Sequence, residues 1–177
     1  KNALEEGNLK DVQFLIGEYN IPKPMIREIG TEAVANLIKG RKFIEAMDAV
    51  KMLKIPTDNP AIKTHAESAF EEAFETGQME LASNLGLHFS LKDKRVDEAA
   101  LSIWKKNMVA GRYSLASEYR KTHKLSRKLT QPTVQQIYDD LVAKGDINQA
   151  SYLRNEYKLN VSVWQWLKEV VKKALRS

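Results

Sequence analysis

The chain has no cysteine. That excludes a disulfide framework, a thiol nucleophile and a thiolate metal site. No apolar run approaches the roughly 18 residues that a membrane-spanning helix needs, so no transmembrane segment is expected. No period-two alternation bounded by turn signals occurs, so strands are not expected either. No signal-peptide pattern follows Lys1, and an intracellular location is the expectation.

The usual marks of catalysis are also missing. Gly40-Arg41-Lys42 lacks the upstream glycine of a phosphate-binding loop. There is no Gly-x-Ser-x-Gly elbow. His65, His88 and His123 are too far apart for two of them to share a metal from one helix. Glu67, Glu71, Glu72 and Glu75 crowd one segment. Paired carboxylates do acid–base work only where an environment splits their pKa values, and here they read as a solvated helix face. The expectation is a protein that is not an enzyme and needs no cofactor or metal.

What is present is an ordinary globular composition, 43% apolar and 29% charged over 177 residues, so disorder is not expected. Within it lies a repeat. Anchors at Gly7, Arg41, Gly77, Gly111 and Gly145 are 34 or 36 residues apart. Two places after each stand Leu9, Phe43, Met79, Tyr113 and Ile147. Five places after stand Val12, Ala46, Ala82, Ala116 and Ala150. Eight places after stand Leu15, Ala49, Leu85, Tyr119 and Leu153. The columns twelve and fourteen places after are apolar or aromatic except for His123. Before the anchors, the offsets of eleven, eight, seven and three are also filled by small or apolar residues, among them Val34, Phe70, Trp104 and Tyr138. Those offsets share one face of a helix with 3.6 residues per turn.

Each unit therefore reads as a first helix, a tight turn at the anchor and a second helix. Prolines in 20–24, 56–60 and 129–132 mark breaks between units. The expected fold is all-α: a right-handed α-solenoid of about five helical hairpins with a ~34-residue period. It forms one helical-repeat domain over 1–177, with units 1–23, 24–59, 60–93, 94–129 and 130–160 and a terminal helix 161–177. Residues 1–6 hold only the last turn of a first helix, so the text reads as a piece of a longer chain. In the terminal helix, Trp164 and Trp166 cannot point the same way; both are expected to pack against the fifth unit, the alternative being that one caps the core and the other is exposed to a further repeat or a partner.

The triplets Gly111-Arg112-Tyr113 with Ala116, Gly145-Asp146-Ile147 with Ala150, and Gly77-Gln78-Met79 with Ala82 resemble divergent tetratricopeptide-type repeats. The resemblance covers nearly the whole chain and rests on a short motif. It departs from the family at Val34, Phe70, Trp104 and Tyr138, where the family prefers a small residue. It implies a scaffold that displays a concave face to a protein or peptide. Carried onto this chain, Glu67, Glu71, Lys105 and Asp139 line that face.

Charge is unevenly spread. Residues 1–91 carry 10 basic and 14 acidic side chains, and residues 92–128 carry 11 and 4. Arg120, Lys121, Lys124, Arg127 and Lys128 form the densest stretch. They offer a basic patch, and with it the alternative of RNA or single-stranded DNA binding. One further pattern follows from the register. Glu71–Glu72, Lys105–Lys106 and Asp139–Asp140 recur six and five places before successive anchors, as a ladder of alternating sign.

Overall fold

The computed structural model describes residues 8–160 and Val171. The terminal helix expected over 161–177, including Trp164 and Trp166, lies outside the described residues, as do Gly7 and the first turn before it. Among the described residues the fold is all-helical, with no strand. The helices are α1 Leu9–Tyr19, α2 Lys23–Lys39, α3 Phe43–Leu53, α4 Pro60–Glu75, α5 Met79–His88, α6 Lys94–Val109, α7 Tyr113–Thr122, α8 Arg127–Lys144 and α9 Ile147–Tyr157. None is long and apolar enough to cross a membrane.

Helix starts follow local chemistry. Asn59 caps α4 by accepting from the Ala61 N–H at 3.0 Å, ahead of Pro60 in the first helical position. Asp146 caps α9 by accepting from the Gln149 N–H at 3.2 Å. Both satisfy donors that a helix start leaves orphaned. The proline-marked break at 129–132 is corrected by the structure: Pro132 lies inside α8. The helix has already begun at Arg127, and the ring removes one hydrogen bond in its second turn.

The anchors explain their own composition. Arg41, Gly77, Gly111 and Gly145 all have φ between 59° and 75°, the left-handed region where a side chain is disfavoured. The N–H of the next residue then reaches back five places, as in Gln78 to the Ala73 carbonyl at 2.8 Å and Arg112 to Asn107 at 2.9 Å. This is the Schellman closure of a helix end. A second left-handed column stands thirteen places after the anchors: Asn20, Lys54, Ser90, Lys124 and Lys158, with φ from 46° to 52°. Four of the residues that follow, Ile55, Leu91, Leu125 and Leu159, are buried and close the second helices in the same way.

None of these five residues is glycine, so each holds a conformation that costs an L-residue about 1–2 kcal/mol. Part of that is offset because the backbone of a non-glycine residue has less conformational freedom to lose on folding. Ser90 is exposed, and replacing it with glycine is expected to stabilise the chain by about 0.5–1 kcal/mol. Urea unfolding followed by circular dichroism measures this as a raised midpoint at unchanged slope.

The chain packs as two units, Lys1–Ala99 and Ala100–Ser177, with the boundary inside α6. In the first unit α2 pairs with α3 and α4 with α5, while α2 also lies on α4 and α3 on α5. First helices thus meet first helices and second helices meet second. Ala46, Ala66 and Ala82 are fully buried where these helices approach, beside Ile62, Phe70, Leu85 and Phe89. Among the described residues α1 packs on α3. Val12 is buried there, while Leu15 and Tyr19 are exposed despite their apolar columns.

Gly86 marks a tight approach in this unit. A Cβ added there would come within 3.0 Å of the Val96 Cβ and closer still to both of its γ-carbons. A β-branched side chain anchored so near its backbone has little room to yield. Gly86→Ala is expected to cost about 1–3 kcal/mol, and Val96→Ala in the same chain should recover much of it. A double-mutant cycle in urea tests this, since two independent defects would simply add.

In the second unit α8 packs on α9, and the core runs through Trp104, Met108, Ala116, Val134, Tyr138, Leu153 and Tyr157. The large residues where the tetratricopeptide pattern prefers small ones are thus core residues: Val34, Phe70, Trp104 and Tyr138 are all at most 3% exposed.

Candidate functional site

Two of the four residues expected on the repeat surface come together in the first unit. Glu67 and Glu71, one turn apart on α4, line a pocket of about 340 Å³ with Lys63, Phe70, Leu91, Lys92 and Asp93. Phe70 and Leu91 are buried and give it an apolar floor. Charges surround that floor.

Arg95 organises the charges. Its guanidinium donates to both Glu71 oxygens at 2.9 and 3.1 Å and to Asp93 Oδ2 at 2.6 Å. It also stands 5.5 Å from the ring centroids of Phe70 and Phe74. A planar fork that meets two carboxylates over aromatic faces is a use lysine cannot copy. The Arg95 hydrogen bonds, and then its charge, hold the Glu71 carboxyl below its usual range. Asp93 is lowered by the Arg95 side chain and by the Arg95 backbone N–H. The guanidinium is correspondingly raised, by Glu71 first.

Glu71 and Asp93 therefore share one guanidinium within the protein. Among the described residues Glu67 is held by an i,i+4 pair with Lys63 at 3.7 Å, and such exposed pairs are worth little. Lys92 is exposed. The pocket thus offers one loosely held carboxylate and two exposed ammonium groups, Lys63 and Lys92, above an apolar floor.

The ladder of alternating charge finds other partners at its first rung. Glu71 is taken by Arg95 and Glu72 by Arg41, at 2.7 Å. Lys105 and Asp139 belong to the second unit and are exposed there, and Asp139 accepts from Gln135 at 3.0 Å.

The basic patch also lies in the second unit, and three of its five members are engaged. Lys121 Nζ is 2.7 Å from Glu156 Oε1. Ser117 donates to the same oxygen. Arg120 lies 4.0 Å from it, with its guanidinium 5.0 Å from the Tyr157 ring centroid and its Nε buried without a partner. Hydrogen bonds from Lys121 and Ser117 pull the Glu156 carboxyl below its ordinary range. Arg127 donates to the Lys158 carbonyl at the end of α9. Lys124 and Lys128 are exposed. His123, the exception in its apolar column, is half-buried and stacks on Tyr119 with ring centroids 4.2 Å apart.

Sequence reasoning missed Arg95, Asp93 and Glu156. Arg95 reaches back 24 residues to Glu71, and Glu156 reaches 39 residues to Ser117. No local spacing signals either pairing.

Comparison with protein-family models, characterised proteins and solved structures gave no match.

Proposed function

We propose that this chain is a right-handed α-solenoid of helical hairpins that docks a protein or peptide segment and carries out no catalysis. Second helices beginning at Leu9, Phe43, Met79, Tyr113 and Ile147 support the repeat of about 34 residues. The stacking of like helices within the first unit supports the solenoid. The observation that carries the binding role is the pocket that Glu67, Lys63 and Lys92 line above Phe70 and Leu91. An apolar floor with a few polar groups at its rim suits a peptide side chain flanked by charge.

The test is selection of phage-displayed random peptides on the immobilised chain, followed by anisotropy with the enriched peptides labelled. Peptides with one large apolar residue beside a charge are expected. Glu67→Lys and Lys92→Glu should each weaken them at least tenfold without moving the melting temperature. Enrichment that ignores both substitutions, or no enrichment at all, removes the reading.

A further inference from the structure

The boundary of packing is also a boundary of charge. Residues 1–99 carry 13 basic and 17 acidic side chains, whereas residues 100–177 carry 15 and 6. The second unit carries a net +9 (15 basic less 6 acidic) and the first a net −4 (13 less 17), and the described surface of the second shows where part of that charge is available. Lys124, Lys128 and Lys158 are exposed. The Arg127 hydrogen bond to the Lys158 carbonyl brings the start of α8 to the end of α9, so these cations share one edge. Lys124 and Lys158 also hold left-handed backbone positions that glycine would fill with less strain.

An open groove of about 420 Å³ lies on the same unit, lined by Gly111, Arg112, Tyr113, Ser114, Leu115 and Tyr152. Among the described residues its one charged lining residue is Arg112, a cation. Leu115 and Tyr152 are exposed. Tyr152 stands near enough to Lys121 for the two to interact electrostatically. Between the groove and Lys124 runs α7, ten residues long and so about 15 Å. It carries one carboxylate, Glu118, against Arg120 and Lys121.

Cations alone would suit any polyanion. Tyrosine rings in a cationic groove narrow the choice, because an acidic peptide offers them nothing to stack, whereas every nucleobase has a π-face. We propose that the second unit binds single-stranded nucleic acid, with a base stacked in the Tyr113–Tyr152 groove and backbone phosphates on Lys124, Lys128 and Lys158. Pairing of Lys121 with Glu156 keeps that ammonium as part of the wall rather than as a phosphate ligand. Such binding would be tolerant of sequence, since the groove recognises a ring and the edge recognises charge.

The test uses the full chain and a fluorescein-labelled 20-nucleotide oligouridine, titrated by anisotropy at 50 and 150 mM salt. Three phosphate contacts predict an affinity about tenfold weaker at the higher salt. Lys124→Glu/Lys128→Glu should weaken binding and flatten that salt dependence. Loss of one stacked base through Tyr152→Ala should weaken it about five- to a hundredfold, and Tyr152→Phe should bind like the unaltered chain. Arg112→Glu provides a second groove variant should Tyr152→Ala lower the melting temperature. Absence of binding at 50 mM overturns the proposal. So does binding that neither groove variant disturbs, or binding displaced equally well by oligoglutamate or by phosphatidylserine vesicles, because these outcomes assign the edge to anions in general.

Discussion

Replacing Trp104 with alanine is expected to destabilise the second unit by about 3–5 kcal/mol, the range for removing a fully buried aromatic. Trp104 has no exposed surface and stands edge-on to Tyr157, with ring centroids 6.3 Å apart. Its indole N–H donates to the Tyr157 hydroxyl at 3.2 Å, and that hydroxyl donates onward to Met108 Sδ at 3.6 Å. The alanine variant loses the ring's contacts, opens a cavity and leaves the Tyr157 oxygen without its donor. Trp104→Phe keeps most of the volume and gives up the hydrogen bond, so its cost should be smaller, about 1–3 kcal/mol. Urea unfolding of the three chains by circular dichroism reads this order. Equal losses for alanine and phenylalanine would mean that the hydrogen bond, rather than the packing, dominates at this position.

Trp104 also shows where the sequence is legible. It lies seven places before Gly111, and the residues at that offset, Val34, Phe70, Trp104 and Tyr138, are all buried. A periodic column reports a helix face whatever the size of its residues, so the core is readable from spacing alone. The anchor column is readable for a different reason: glycine marks a left-handed backbone. The assignment of Arg41 to that column rests on register, and its φ of 59° places it in the same conformation as the glycines. The parallel column at Asn20, Lys54, Ser90, Lys124 and Lys158 carries no glycine and so gives no sign in the sequence, although its geometry recurs just as regularly.

Electrostatics is legible only in bulk. The run from Arg120 to Lys128 announces a basic region, but not that Arg120 turns over Tyr157, that Lys121 meets Glu156, or that Arg127 meets the end of α9. Each partner lies more than 30 residues away and is delivered by packing. The same holds in the first unit. Glu67 and Glu71 are neighbours by helical spacing, whereas Arg95 reaches Glu71 only because the segment after α5 returns to α4. Residues that share a helix face can be paired from the text. Residues that meet across helices require the tertiary fold.

Glu156 is the consequential member of that second group, and its removal should depend on pH. Its carboxylate is largely covered, with a side-chain exposure of 23%, and it accepts from Lys121 and Ser117 while facing Arg120. Glu156→Ala leaves these donors without their acceptor and is expected to cost about 2–3 kcal/mol at pH 7. The folded-state pKa lies below the ordinary 4.5, chiefly through the Lys121 hydrogen bond. A carboxyl depressed by folding contributes its full stabilisation above the unfolded pKa and loses it as pH falls through the folded one. The gap between the parent chain and Glu156→Ala should therefore be widest near neutral pH and narrow progressively below about pH 4.5. Glu71 and Asp93 are depressed in the same direction by Arg95, so both chains weaken in acid and only their difference isolates Glu156. Urea midpoints for the pair at pH 7, 5, 4 and 3 measure that difference. A gap that stays constant across the series would assign the loss to packing of the glutamate stem rather than to its charge.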